Sequence, residues 1–193
     1  MSEKELIDGC LKHESACQRT LYELYFSKMM HICIRYAKNK ADAKNILLDG
    51  FKNIFNNFRN YTEENAKIKN TVPSLSLEGW IKKKIIASAI RHMHDNQKEH
   101  FVSSTVNTRD FDRQPVKELS DEQLIKLTDK QAVLDGLQLL TPSYRVVYNL
   151  HEVDGYTHQE ISKLLDISEY ISKDSLLKAK YNLRKNLTQI IPK

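Results

Sequence analysis

Apolar residues in this chain recur at intervals of three and four almost everywhere and hardly ever alternate, which is the spacing of a helix face and not of a half-buried strand. Glycine and proline, which punctuate turn-rich sheet proteins, number only five and four. The chain therefore reads as all-α. Its 193 residues, 40% of them hydrophobic, suffice for one ordinary domain or two small ones. The patterning favours two. Residues 95–128 are polar, mixed in charge and too poor in apolar side chains to bury, so they are expected to form a flexible linker between small helical domains at 1–94 and 129–193.

In the first half, helices are expected from about Glu14 to Lys38, from Asp42 to about Phe58 and from about Leu77 to His94. Asn60 to Asn70 form a polar break, and Val72, Pro73 and Ser74 mark a turn. In the middle helix Ala43, Leu47, Phe51, Ile54 and Phe58 share a stripe that should face a core, with Asp42 placed to cap its start. The second half resumes at Gln131 and is broken only at Pro142, Asp154-Gly155 and Asp166, which predicts four helices with short connections.

Several function classes are excluded by what the chain lacks. There is no apolar run of transmembrane length, and Met1 to Cys10 is polar, so a cytoplasmic protein without a membrane partner is expected. Cys10, Cys17 and Cys33 are odd in number and lack CxxC spacing, which suits a reducing compartment. Cys10, His13 and Cys17 would share one face of a continuous helix, but single helices rarely make metal sites, so neither metal nor cofactor is expected. The seven histidines lack triad or HExxH spacing and no phosphate-binding glycine loop is present, so no catalytic residues are assigned and the protein is read as a non-enzyme. A net charge of +5 and a pI near 9.0 favour a polyanionic partner only modestly. Placement of the charges matters more.

Thr157-His158-Gln159-Glu160 is a capping box, in which the Thr157 hydroxyl accepts from the Glu160 N–H and the Glu160 carboxylate reaches back to residue 157. A helix therefore starts there, continues through Ile161, Leu164 and Leu165, stops at Asp166 and restarts behind Ser168, a good N-cap, to end near Ile190. That is a helix-turn-helix. Along its last helix Leu176, Ala179, Leu183, Leu187 and Ile190 form an inward seam, and Ser172, Lys173, Ser175, Lys178, Lys180 and Arg184 fall mainly outside it. A basic, hydroxyl-rich face suits phosphates and base edges in a major groove, and it equally suits a merely solvated surface.

In the first half, Lys82, Lys83 and Lys84 follow Trp80 in a helix that continues to Arg91 and His92. Adjacent lysines spread around a helix at about 100° per residue and keep it soluble, while cationic side chains beside flat groups also suit an unstacked strand.

The stretch LTPSYRVVYNLHEVDGYTHQEISKLLDIS followed by SKDSLLKAKYNLRKNL resembles region 4 of extracytoplasmic-function sigma factors of the sigma-70 family, with Arg145, Asp154-Gly155 and Glu160-Ile161 in family-like positions. LEGWIKKKIIASAIRHMH looks like region 2.3 to 2.4, and DAKNILLDGFKNIF like region 2.2, of the same factors. Asp166 stands where the family usually has glycine, Tyr170-Ile171 replace a glycine-threonine pair, Asp174 puts an acid near phosphates, Ala87 and Arg91 replace asparagine and aspartate, and Lys44 and Asn45 replace acids. Asp tolerates a left-handed turn.

The resemblance implies a transcription initiation factor that binds core RNA polymerase and directs it to promoter DNA. By it, Thr157, His158 and Gln159 touch DNA backbone, and Ser168, Tyr170, Ser172, Lys173, Ser175 and Lys178 face the upstream promoter element. Lys82, Lys83, Lys84, Arg91 and His92 meet the downstream element, where strands are melted. Asp42, Asn45, Asp49 and Phe51 dock on polymerase. An anti-sigma factor is a further partner the family allows, and the free protein is expected to be a monomer. The competing readings are a stand-alone helix-turn-helix regulator and a degenerate sigma-like protein that binds polymerase without opening DNA.

Overall fold

A computed structural model of the chain describes residues 1–68, 76–96 and 129–190, and all regular structure among them is helical. The all-α reading holds. The chain divides into two compact units, Met1–His92 and Met93–Lys193. Most of the expected linker and the turn at Val72, Pro73 and Ser74 lie outside the described residues. Among the described residues, no helix is long and apolar enough to cross a membrane.

The first unit holds α1 (Glu3–Leu11), α2 (Ser15–Tyr36), α3 (Lys40–Asn56), α4 (Arg59–Ile68) and α5 (Leu77–Asn96). Two of these five correct the sequence reading. Helix α1 is absent from it because only Leu6, Gly9 and Cys10 are buried, too few for a visible period; a capping box starts it, Ser2 Oγ accepting from the Glu5 N–H at 3.2 Å while Glu5 Oε2 accepts from the Ser2 N–H at 2.7 Å. A Cβ on Gly9 would run into the Cys17 Sγ, so glycine is what lets α1 approach α2. His13, at φ 58°, ends the α1 connection, so Cys10, His13 and Cys17 do not share one continuous helix.

Helix α4 occupies what reads as a polar break. One aromatic anchors it: Tyr61 is buried, with its ring 5.5 Å from Trp80 and 6.1 Å from Phe58. Asp42 does not cap α3. Asn39 does, its Oδ1 accepting from the Asp42 N–H at 2.9 Å, which moves the helix start two residues earlier. The expected stripe is inward: Ala43, Leu47, Phe51, Ile54 and Phe58 are all buried, with Leu21, Met29, Cys33, Trp80, Ile81 and Ile85 completing the core.

The second unit holds α6 (Lys130–Gln138), α7 (Pro142–Tyr148), α8 (His158–Leu165) and α9 (Glu169–Ile190), the four expected helices; α7 runs on into a wide π turn, Asn149–Val153. Leu137, Leu140, Ala179, Leu183 and Leu187 form its apolar centre, with Val133, Tyr144 and Tyr148 against it.

Candidate nucleic-acid interface

The connection into the helix-turn-helix is fixed from behind. Arg145 is buried, and its guanidinium donates to three carbonyl oxygens at the end of α6: Nε to Leu137 at 2.9 Å, and Nη2 to Gln138 at 2.9 Å and Leu140 at 2.6 Å. A cation at a helix C-terminus satisfies carbonyls that have no partner within the helix. Asn149, also buried, donates from Nδ2 to the Arg145 carbonyl at 2.9 Å. The chain then reverses at Gly155, whose φ of 76° favours glycine for backbone reasons alone, since a Cβ there would meet nothing within 4 Å.

The capping box forms as expected. Thr157 Oγ1 accepts from the Glu160 N–H at 3.2 Å, and Glu160 Oε2 accepts from the Thr157 N–H at 2.8 Å and its hydroxyl at 2.9 Å. Ile161 and Leu165 bury the inner face of α8. Asp166 takes the left-handed turn at φ 53° and ψ 49°, and Ser168 Oγ accepts from the Ile171 N–H at 3.1 Å to start α9. Helix, left-handed aspartate, capped helix: the motif read from sequence is the motif present.

Its outward face is not the one expected. Ser172, Ser175 and Lys178 are buried, at 0%, 4% and 3% exposure. Helices α6, α7 and α8 all pack on α9, so the covered arc spans about half the helix instead of the narrow leucine seam. Lys178 is neutralised where it lies by Asp174, 2.7 Å away, so the acid that sat awkwardly in a DNA-facing reading is the counterion of an interior lysine. Of the residues α9 leaves outside, Tyr170, Lys173, Leu177, Lys180 and Arg184 fall within about 80° of one another at 100° per residue, with Glu169 and Lys185 exposed on either side. Tyr170 is 72% and Leu177 56% exposed. Leu177 was not singled out from sequence; its one signal was that it stands off the three-and-four repeat of its neighbours. Thr157, Gln159 and Ser168 are exposed and His158 half-buried. Lys180 is engaged by Glu152 at 2.8 Å, and that ion pair holds the Glu152 carboxyl below its usual range.

On α5 the basic run divides. Lys83 and Arg91 are exposed, Lys82 and His92 are half-buried, and Lys84 is half-buried against Glu64 at 3.2 Å with its ammonium 5.2 Å from the Trp80 ring. His92 Nε2 lies 3.8 Å from Asp42 Oδ1. On α3, Asn45 and Asp49 are exposed beside Leu48, whereas Phe51 is a core residue at 2% exposure, its ring 4.8 Å from Tyr22, and cannot be a docking side chain in this fold. Among the described residues no group of three His, Cys, Asp or Glu side chains is placed to hold a metal.

Residues 130–169 match the family model for sigma-70, region 4. No curated protein matches the chain. Among solved structures it is similar to the sigma factor RpoE of Bartonella quintana, determined in complex with the anti-sigma factor NepR, at 13% identity and a TM-score of 0.45, covering 90% of this chain and 98% of that one. The region 4 resemblance read from the second half is borne out over residues 130–169.

Proposed function

We propose that the protein is a transcription initiation factor of the extracytoplasmic-function sigma type, which binds core RNA polymerase, brings it to promoters and performs no chemistry of its own. The observation that carries this reading is the region 4 match over residues 130–169, continuous with a helix-turn-helix whose caps and turn are formed. In this reading α9 presents Tyr170, Lys173, Leu177, Lys180 and Arg184 to the upstream element, while Thr157 and Gln159 at the start of α8 meet phosphates. Ser172, Ser175 and Lys178 act from inside, holding α9 in place.

The first unit, in the same reading, offers Lys83 and Arg91 to the downstream element and Asn45 and Asp49 to polymerase. The protein works in the cytoplasm, is monomeric when free, and is a target for an inhibitory anti-sigma partner. One observation favours the second reading, a sigma-like protein that holds polymerase without opening DNA: Lys84 is engaged within its own unit. Pull-down with purified core polymerase followed by run-off transcription separates the readings. Core binding with promoter-dependent transcripts is the expected result. Binding without transcripts selects the second reading, and duplex binding with no affinity for core polymerase selects a stand-alone regulator and overturns the proposal.

A further inference from the structure

His151 and His158 stack face to face, their ring centroids 4.4 Å apart and their planes 24° from parallel. They come from different elements. His151 lies in the π turn, His158 is the first residue of α8, and His158 Nδ1 sits 2.9 Å from the hydroxyl of Ser172, which is wholly buried on α9. On the other side, His151 Nδ1 is 2.9 Å from Glu152 Oε1, and the same oxygen is 2.8 Å from Lys180 Nζ. One run of contacts thereby joins the turn and both helices of the helix-turn-helix through two imidazoles.

We propose that His158 is a positioning residue that seats α8 on α9, and that its stack on His151 is a latch which opens when both rings carry a proton. Neutral imidazoles stack without electrostatic penalty, whereas protonation of both rings places two like charges at the observed separation. The Ser172 hydroxyl can serve either state of His158 by reversing its O–H, so the stack is the contact that double protonation breaks. The groups facing His158 are His151 and Glu152 from the turn and Lys173 and Glu169 from α9. Burial, His151 and Lys173 disfavour the proton more than the two carboxylates favour it, and the ring is held below its ordinary value of 6.5. The latch lies within the second unit and operates whether or not that unit binds a promoter.

Histidine ring signals and backbone amides of the full-length protein, followed by NMR from about pH 8 to pH 5, test it. His158 is expected to titrate below 6.5, with amides at the start of α9 shifting at the same midpoint. His151→Gln, which keeps a polar side chain but removes the neighbouring titratable ring, is expected to raise that midpoint. A merely structural role for His151 would leave it in place, and that result overturns the proposal. So does titration of His158 with no response in α9. Ser172→Ala supplies an independent check, because loss of the link to α9 should shrink the amide response while His158 still titrates; an undiminished response also overturns the latch.

Discussion

Arg145 directs a buried cation at three main-chain oxygens. Hydrogen bonds from a charged donor contribute more than neutral ones, and their loss strands buried carbonyls. Arg145→Ala is accordingly expected to destabilise the second unit by about 2–4 kcal/mol, measured as a shift in the urea midpoint by circular dichroism. Arg145→Lys should recover only part of that, since one ammonium cannot reproduce the planar fork. Two other residues set a pH dependence. His158 is depressed when folded, so the unfolded chain takes up its proton first as pH falls through 6.5; the residue's contribution is complete above that pH and fades below it. Glu152 is depressed by Lys180, and its contribution is present above 4.5 and fades below that. Stability of the second unit should therefore decline in two stages on acidification, and His158→Gln should flatten the upper stage in urea midpoints recorded across the range.

At the scale of elements, the local chemistry of the helix-turn-helix was legible, whereas the Ser2–Glu5 box of α1, the Asn39 cap of α3 and what neighbouring helices determine were not. The Thr157 box, the Asp166 stop and the Ser168 restart each lie within a few residues of sequence, and each formed as expected. Thr157→Ala should cost about 1 kcal/mol of stability as the cap is lost, and Gly155→Ala about 1 kcal/mol or more as a Cβ is forced into left-handed backbone, both measured by urea denaturation. By contrast, α4 rests on one buried tyrosine within its described side chains, and such an anchor leaves no period to find. The buried arc of α9 was underestimated for a related reason. A leucine repeat reveals the face that packs on apolar partners but not the flanks, where Ser172, Ser175 and the Lys178–Asp174 pair are enclosed by α6, α7 and α8. Phe51 was read both as part of a core stripe and as a docking residue, and its burial decides for the stripe.

For the whole molecule, two units with separate cores supply separate reporters. Trp80, the sole tryptophan, is wholly buried in the first. Arg145→Ala should thus move the circular dichroism transition while tryptophan fluorescence unfolds as in the wild type; a coincident shift of both signals would show that the units unfold together. If the second unit grips duplex DNA, Lys173→Ala should weaken binding evenly across sequences and reduce the salt slope by about one, measured by anisotropy at several salt concentrations in the presence of core polymerase.

The first unit also carries a chemical clock. Cys10, Cys17 and Cys33 are all free and buried, and desolvation pushes the Cys10 thiol up to about 11 and Cys33 to about 12, so near neutrality neither is a ready nucleophile where it lies. Alkylation by a maleimide at those two positions must wait for the helices to part, and its pace counts the openings of the unit without any fluorophore or tag.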